Sequence, residues 1–242
     1  LVNYFIKGNI ALTKVDEDYP DNKLSGAVFE VYSDTNGDGK LDKDDTLLGE
    51  MKELDGGVYQ MSERRYGKYL GKETKAPTGF VLDENVYSVS VEENGKTYTV
   101  ENKAGVGFIN AAQKGSLKIV KTSSDGKVEG FSFRVTGVDY DQTFKTDKNG
   151  EIVIEGMRIG DYTVSEVSDK ASAGYILPAD KQATVKVDAT AIVQMHNEFR
   201  DTPKTGDDFN LASWVSLAAL SVVGAGVLGF VSYKNRKKKK ED

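Results

Sequence analysis

The chain has no cysteine, one histidine, one tryptophan and four prolines among its 242 residues. Without cysteine it can form neither a disulfide nor a thiolate metal site, and a lone histidine argues against zinc sites and catalytic triads. The sequence before residue 209 also lacks the 3.6-residue periodicity of an amphipathic helix. Any covalent cross-link within this chain must therefore form by chemistry other than disulfide formation.

Acidic residues outnumber basic ones over the chain as a whole but not at its C-terminal end. Residues 1–233 hold 26 Lys and Arg against 36 Asp and Glu, a net charge of −10, whereas residues 234–242 hold 6 against 2. An acidic body of this size argues against nucleic-acid binding.

A long apolar run precedes that basic end. No charged residue lies between Asp208 and Lys234, and Leu211 to Val231 is just long enough for a helix that crosses a bilayer. Basic residues that flank such a helix stay in the cytoplasm. We therefore predict a transmembrane segment at 209–233 and a cytoplasmic tail at 234–242, with the preceding residues outside the cell. An ordinary single-span membrane protein is the alternative.

The rest of the chain contains an internal repeat. The matching pairs are Gly8–Lys14 with Gly115–Lys121, Lys68–Glu73 with Asp161–Glu166, and Phe108–Asn110 with Met195–Asn197. The repeat is too long for a solenoid, so we predict two tandem domains, residues 8–112 and 113–200. Residues 1–7 are expected to end a truncated preceding domain, since Asn3 precedes Gly8 as Asn110 precedes Gly115; an arbitrary leader is the alternative. With no signal peptide visible ahead of an exported anchor, an N-terminal part is expected to be missing.

Both domains are predicted to be all-β. Short alternating segments occur at Ala27–Tyr32, Tyr87–Val91, Thr97–Val100, Phe131–Val135, Ile152–Ile154 and Ala183–Val187. Asn94-Gly95 and Asn149-Gly150 are typical of hairpin turns between such strands. Several short strands in each domain predict two Ig-like β-sandwiches.

Each domain directs a Lys, a Glu and an Asn toward its own core. Alternate side chains of a strand share a face, which places Lys14, Glu73 and Asn110 in domain 1, and Lys121, Glu166 and Asn197 in domain 2, on apolar faces. Burial lowers the pKa of a Lys and raises that of a Glu. A neutral amine can then attack the Asn amide and expel ammonia, while a protonated Glu shuttles protons. A buried Lys–Glu ion pair beside a hydrogen-bonded Asn is the alternative.

Residues 34–45 follow the ligand pattern of an EF-hand calcium loop, although no helices flank them. The candidate ligands are Asp34, Asn36, Asp38, Lys40, Asp42 and Asp45, with Asp45 in place of the usual Glu. The loop accounts for most of the 14 residues by which domain 1 exceeds domain 2 between its Lys and its Glu. A solvated acidic turn is the alternative to a calcium site.

Residues 69–80, YLGKETKAPTGF, resemble the E-box, Y-x-L-x-E-T-x-A-P-x-G-Y, of Gram-positive pilins with Cna B-type (SpaA-like, prealbumin-like) domains. The resemblance implies that the first-strand Lys bonds to the last-strand Asn, with the E-box Glu as catalyst. The implied bonds are Lys14–Asn110 with Glu73, and Lys121–Asn197 with Glu166. Domain 1 departs only at Gly71 and Phe80, whereas domain 2 lacks the proline and has two extra residues before Tyr175.

The C-terminal end resembles the cell-wall sorting signal of Gram-positive surface proteins. An LPXTG-like site, Thr202-Pro203-Lys204-Thr205-Gly206, precedes the apolar run and the basic tail; Thr202 stands where Leu is usual. The resemblance implies that a sortase cleaves between Thr205 and Gly206 and joins Thr205 to peptidoglycan or to another pilin, after a transient stay in the membrane.

These resemblances imply a sortase-anchored structural protein of a Gram-positive cell surface, with the two sandwiches acting as a stalk. The expected chemistry is intramolecular and autocatalytic, so the chain is not expected to turn over an external substrate. One alternative is an adhesin whose domains themselves bind a host or matrix ligand. Another is a wall-anchored enzyme whose catalytic domain lies upstream.

Overall fold

The computed structural model describes residues 4–137 and 139–200. Within these residues the chain forms seventeen β-strands and no helix, which confirms the all-β prediction. In this part of the chain there is accordingly no helix of the length and apolarity that a membrane span requires. The predicted sortase site, transmembrane segment and basic tail lie outside the described residues, as do residues 1–3 of the predicted preceding domain.

Sandwich 1 has nine strands. They are β1 (Lys7–Asp16), β2 (Val28–Ser33), β3 (Thr46–Glu50), β4 (Lys52–Asp55), β5 (Val58–Arg65), β6 (Gly67–Lys75), β7 (Val86–Val91), β8 (Thr97–Thr99) and β9 (Phe108–Asn110). One sheet has the order β4-β5-β1-β8, with β9 also paired to β1, and the other has the order β3-β2-β6-β7. Both β8 and β9 run parallel to β1, so the first and last strands of the sandwich are neighbours.

Sandwich 2 repeats this arrangement with eight strands. They are β10 (Lys114–Ser123), β11 (Ser132–Gly137), β12 (Tyr140–Lys145), β13 (Glu151–Arg158), β14 (Gly160–Glu166), β15 (Tyr175–Ile176), β16 (Lys181–Val185) and β17 (Thr190–Phe199). The sheets have the orders β13-β10-β17-β15 and β12-β11-β14-β16. The first and last long strands, β10 and β17, are again parallel neighbours.

The core of sandwich 1 follows from the two-residue period of its strands. Ile10 and Leu12 of β1 are buried, and the rings of Phe29, Tyr59 and Phe108 pack edge to face between the sheets at centroid distances of 5.0–5.3 Å. Burying each such side chain contributes about 1.5–3 kcal/mol. The same period continues to the polar end of β1, which places Lys14 in this apolar interior.

The two predicted hairpins are wrong. Gly95 and Gly150 do turn the chain, with φ of 76° and 78°. However, the strands on either side of each turn belong to different sheets, because β7 pairs with β6 whereas β8 pairs with β1, and β12 pairs with β11 whereas β13 pairs with β10. Each Asn-Gly dipeptide therefore carries the chain from one sheet of its sandwich to the other.

Candidate functional site

Three polar side chains meet inside sandwich 1. Lys14 comes from β1, Glu73 from β6 and Asn110 from β9, so they join the two facing sheets. Their exposures are 0%, 0% and 3%. Residues of these types are rarely buried this deeply unless they are paired. The contacts between the three side chains therefore decide whether the fold can tolerate their burial.

The carboxylate of Glu73 lies between the other two groups. The Nδ2 of Asn110 donates to both oxygens of Glu73, at 3.0 and 2.9 Å. The amine of Lys14 is 3.9 Å from Oε1 of Glu73 and donates to the carbonyl of Phe108 at 3.0 Å. The lysine thus has one close hydrogen bond, one distant carboxylate and, 5.1 Å away, the ring of Phe108.

Burial changes the protonation of this group. Loss of solvent lowers the pKa of Lys14 to about 8, although the carboxylates of Glu73, Asp83 and Asp16 oppose that change. Loss of solvent likewise raises the pKa of Glu73 above its usual range, against its hydrogen bonds from Asp83 and Asn110. Both changes favour a neutral amine beside a protonated carboxyl, the pair of states that acyl transfer to a lysine requires.

Sandwich 2 builds the same group with fewer contacts. Lys121 of β10, Glu166 of β14 and Asn197 of β17 are 1%, 9% and 0% exposed, and Nδ2 of Asn197 donates to Oε1 of Glu166 at 2.6 Å. Burial lowers the pKa of Lys121 and raises that of Glu166. The Lys121 amine lies 4.2 Å from the centroid of the Phe131 ring, and it donates to the backbone carbonyl of the neighbouring residue at 2.5 Å.

Unpaired polar atoms concentrate in these two groups. Over residues 4–137 and 139–200, the buried side-chain atoms without a hydrogen-bond partner are Oδ1 of Asn110, Oδ1 of Asn197 and Oε2 of Glu166. A buried polar atom without a partner destabilises the fold by about 1–3 kcal/mol. Each such atom in a native fold requires an explanation, and a catalytic role is one of them.

Aromatic rings around the lysines were not predicted as part of the site. Phe108 in sandwich 1, and Phe131 with Tyr175 in sandwich 2, lie over the lysine amines at 4.2–5.9 Å. They form part of the surroundings that bury the amines, and burial is the main cause of the lowered lysine pKa values. Alternation in the sequence could have indicated both phenylalanines, because Phe108 shares a face with Asn110, and Phe131 shares one with Phe133 and Val135.

The predicted calcium loop lies between β2 and β3. Asp34 accepts the N–H groups of Gly37 and Gly39 at 2.7 and 3.1 Å, and Asp45 accepts that of Thr35 at 3.0 Å. Among the residues that the structure describes, no three acidic or histidine side chains come together as a metal-binding group. Calcium binding by this loop stays a prediction.

Comparison with known proteins identifies the fold of both sandwiches. The family model described as SpaA, prealbumin-like fold domain, matches residues 8–104 and 115–199. No curated protein matches the sequence.

Solved structures with this fold include the Bacillus anthracis TIE protein, at 24% identity and a TM-score of 0.59. The match covers 81% of this chain but only 34% of that protein, so the chain spans about a third of its length. GBS52, the minor pilin of Streptococcus agalactiae, is 16% identical over 84% of this chain and 100% of its own, with a TM-score of 0.36. A variant of the shaft pilin spaA from Lactobacillus rhamnosus GG is 16% identical over 81% and 100%, with a TM-score of 0.38.

Two separate matches to one family model, covering both sandwiches, account for most of the sequence. The chain therefore belongs to the SpaA family of prealbumin-like fold domains and carries two of them in tandem.

Proposed function

We propose that this chain is a structural protein of a Gram-positive cell surface, in which each sandwich closes an internal isopeptide bond. The bonds join Lys14 to Asn110 and Lys121 to Asn197. The observation that carries the proposal is the burial of a Lys, a Glu and an Asn together in both sandwiches, with the amide of the Asn hydrogen-bonded to the carboxylate of the Glu.

The proposed reaction uses only these three side chains. The neutral amine of Lys14 attacks Cγ of Asn110, the new C–N bond forms, and the bond from Cγ to Nδ2 breaks. The protonated carboxyl of Glu73 delivers its proton to the departing nitrogen, which leaves as ammonia, and takes up one proton from the attacking amine, so that it ends protonated as it began. The Nδ2 of Asn110 already donates to Glu73, so the leaving group starts beside its proton donor. Glu166 takes the same part in sandwich 2.

The position of the bonds suits a protein under tension. The chain enters sandwich 1 along β1 and leaves it along β9, and these parallel neighbours would be linked near their C-terminal ends. Tension would then pass from the first strand to the last through covalent bonds and bypass the residues between them. By analogy with a disulfide across about 100 residues, such a bond would also stabilise the sandwich by about 4–5 kcal/mol.

Attachment to the surface is proposed from the sequence alone. A sortase would cleave between Thr205 and Gly206, after the apolar run has held the chain in the membrane, and would join Thr205 to peptidoglycan or to another pilin subunit. The support is the order of three elements, which are the LPXTG-like site, the apolar run and the basic tail. Incubation of the chain with a sortase and an amine nucleophile should release the residues from Gly206 onward. Release at another position, or none, would contradict the anchor.

The intact mass of the denatured chain tests the bonds. Each bond removes one ammonia, so the measured mass should lie about 34 Da below the mass calculated from the sequence. In the double variant with Glu73→Ala and Glu166→Ala, the measured mass should equal the mass calculated for that variant. A deficit of about 17 Da would mean that one sandwich closes its bond and the other does not. The full unmodified mass would refute the cross-links and leave two sandwiches with buried ion pairs.

A further inference from the structure

The last strand of sandwich 1 is interrupted beside the proposed bond. Along β1, Ala11 faces Thr99 of β8 and Lys14 faces Phe108 of β9. Three positions separate the two residues of β1, but nine separate their partners, so six residues are inserted between β8 and β9. In sandwich 2 the pairing of β10 with β17 continues without a break. The insertion therefore belongs to sandwich 1 only, and β9 begins directly after it at Phe108, two residues before Asn110.

Asn102 in this insertion takes the place of a strand partner. Its Oδ1 accepts the N–H of Ile109 at 2.6 Å, and its Nδ2 donates to the carbonyl of Ile109 at 2.9 Å. Ile109 lies between Phe108, whose carbonyl accepts the Lys14 amine, and Asn110. The carboxamide of Asn102 therefore fixes the backbone that carries the proposed electrophile.

The same carboxamide reaches the catalytic carboxyl through one more residue. Nδ2 of Asn102 donates to Oδ2 of Asp83 at 2.9 Å, and the hydroxyl of Tyr87 donates to that oxygen at 2.6 Å. The backbone N–H of Asp83 donates to Oε2 of Glu73 at 2.9 Å. A chain of hydrogen bonds thus runs from the strand that carries Asn110, through Asn102 and Asp83, to Glu73.

Sandwich 2 holds its glutamate with fewer contacts. Among residues 113–137 and 139–200, no group hydrogen-bonds to Oε2 of Glu166, and Asn197 donates to Oε1. The nearby Asp169 instead accepts hydrogen bonds from Ser132 and from backbone N–H groups of its own turn. The carboxyl of Glu73 is therefore held at both oxygens, and that of Glu166 at one.

We infer that Asp83 and Asn102 are positioning residues that speed bond formation in sandwich 1. This inference rests on the proposed isopeptide chemistry and adds to it a difference between the two sandwiches. Asn102 holds Asp83, and the N–H of Asp83 holds Glu73 in the orientation that serves both Lys14 and Asn110. Sandwich 2 closes its bond without this support and does so more slowly.

The charge of Asp83 provides a readout that a purely structural role would not affect. Its carboxylate raises the pKa of both Lys14 and Glu73. The other charged groups acting on Lys14 are Glu73 and Asp16, and both residues are still present in an Asp83 variant. Asp83→Asn keeps the backbone N–H but removes the charge. The pH profile of the reaction in sandwich 1 should therefore move to lower pH.

The experiment follows both bonds in one molecule. The full chain is produced in a short pulse of cell-free synthesis, samples are denatured at intervals, and digestion with mass spectrometry measures the cross-linked Lys14–Asn110 and Lys121–Asn197 peptides. Because a small misplacement of reacting groups slows reactions strongly, Asn102→Ala should slow the bond of sandwich 1 by about tenfold or more. The bond of sandwich 2 serves as the internal reference and should be unaffected, and Asn149→Ala, in an exposed turn, should change neither rate.

The outcomes separate the two proposals. If neither bond forms in the unmodified chain, the isopeptide chemistry itself is refuted. If both form, and Asn102→Ala leaves the ratio of the two rates unchanged, the positioning role is refuted. If Asn102→Ala prevents sandwich 1 from folding, as shown by rapid proteolysis of that sandwich alone, Asp83→Asn decides the matter. An unshifted pH profile in Asp83→Asn would then overturn the inference.

Discussion

Arg158 of sandwich 2 donates two hydrogen bonds to Asp16 of sandwich 1, at 2.7 and 2.8 Å between nitrogen and oxygen. The side chain of Asp16 is 2% exposed and that of Arg158 is 19% exposed. Arg158 also donates to Asp18 at 3.1 Å and lies over the ring of Tyr19. Burial alone raises the pKa of Asp16, but its hydrogen bonds from Arg158 and from the Asp18 and Tyr19 backbone outweigh burial and lower it. A bidentate pair of this kind ties the two sandwiches together.

Replacing Arg158 should destabilise the chain and loosen this junction. Arg158→Ala leaves the carboxylate of Asp16 buried without its partner, so the free energy of unfolding should fall by about 2–3 kcal/mol in urea titrations. The matched control is Arg134→Ala. Arg134 makes an equally short bidentate pair with Asp141, but both side chains are more than half exposed. That variant should lose at most about 1 kcal/mol. Equal losses in the two variants would contradict a special role for the junction.

The contribution of this pair should vanish in acid. Because the pKa of Asp16 is lower in the folded chain than its usual value of about 3.9, the pair stabilises the fold fully above that value and less as the pH falls through the folded value. The decrease in the free energy of unfolding caused by Arg158→Ala should therefore have its full size at pH 6 and be clearly smaller at pH 3. In an Asp16→Asn background, where Asp18 is the one carboxylate left to Arg158 among those named above, the effect of Arg158→Ala should shrink less.

The burial of the proposed site could be predicted because it depends on a local rule, the alternation of side chains along a strand. Alternation along β1 is enough to place Lys14 beside Ile10 and Leu12, and the same rule holds for Asn110 and Asn197. The hairpin predictions were wrong because an Asn-Gly dipeptide indicates only that the chain turns. Which strands pair afterwards is decided by contacts distant in sequence. The roles of Asn102, Asp83 and Arg158 also depend on such contacts, so no local pattern marks them.

A chain that cannot form the first bond should reveal the free amine of Lys14 by its pH dependence. In Asn110→Ala the amine persists, with a folded pKa of about 8 against about 10.4 when unfolded. Between these values the unfolded chain binds more protons, so the free energy of unfolding should rise with pH from about 8 to about 10. If the unmodified chain forms the proposed bond, its amine has become an amide and adds no such rise. Lys14→Met combined with Asn110→Ala should remove the rise, and its persistence there would assign it to another group.

The calcium prediction has a direct thermal test. If Asp34, Asp38 and the other predicted ligands bind the ion, millimolar calcium should raise the melting temperature of the unmodified chain, because a ligand that binds only the folded state stabilises it. Asp38→Asn should reduce this shift. Asp141→Asn, which removes an exposed carboxylate in sandwich 2, should not. No calcium-dependent shift in the unmodified chain would leave residues 34–45 as an acidic turn.

Mechanical unfolding should distinguish a chain with the two proposed isopeptide bonds from a chain that lacks them. When the chain is pulled from residues 1 and 200, the bonds should keep residues 14–110 and 121–197 from extending. Asn110→Ala should add one unfolding step of about 320–350 Å, since 96 positions then extend at about 3.3–3.6 Å each. Asn197→Ala should add a shorter step of about 250–270 Å from its 76 positions, and Asn149→Ala should add none. If the unmodified chain already shows both steps, tension does not pass through the proposed bonds, and the two sandwiches must resist it by strand pairing alone.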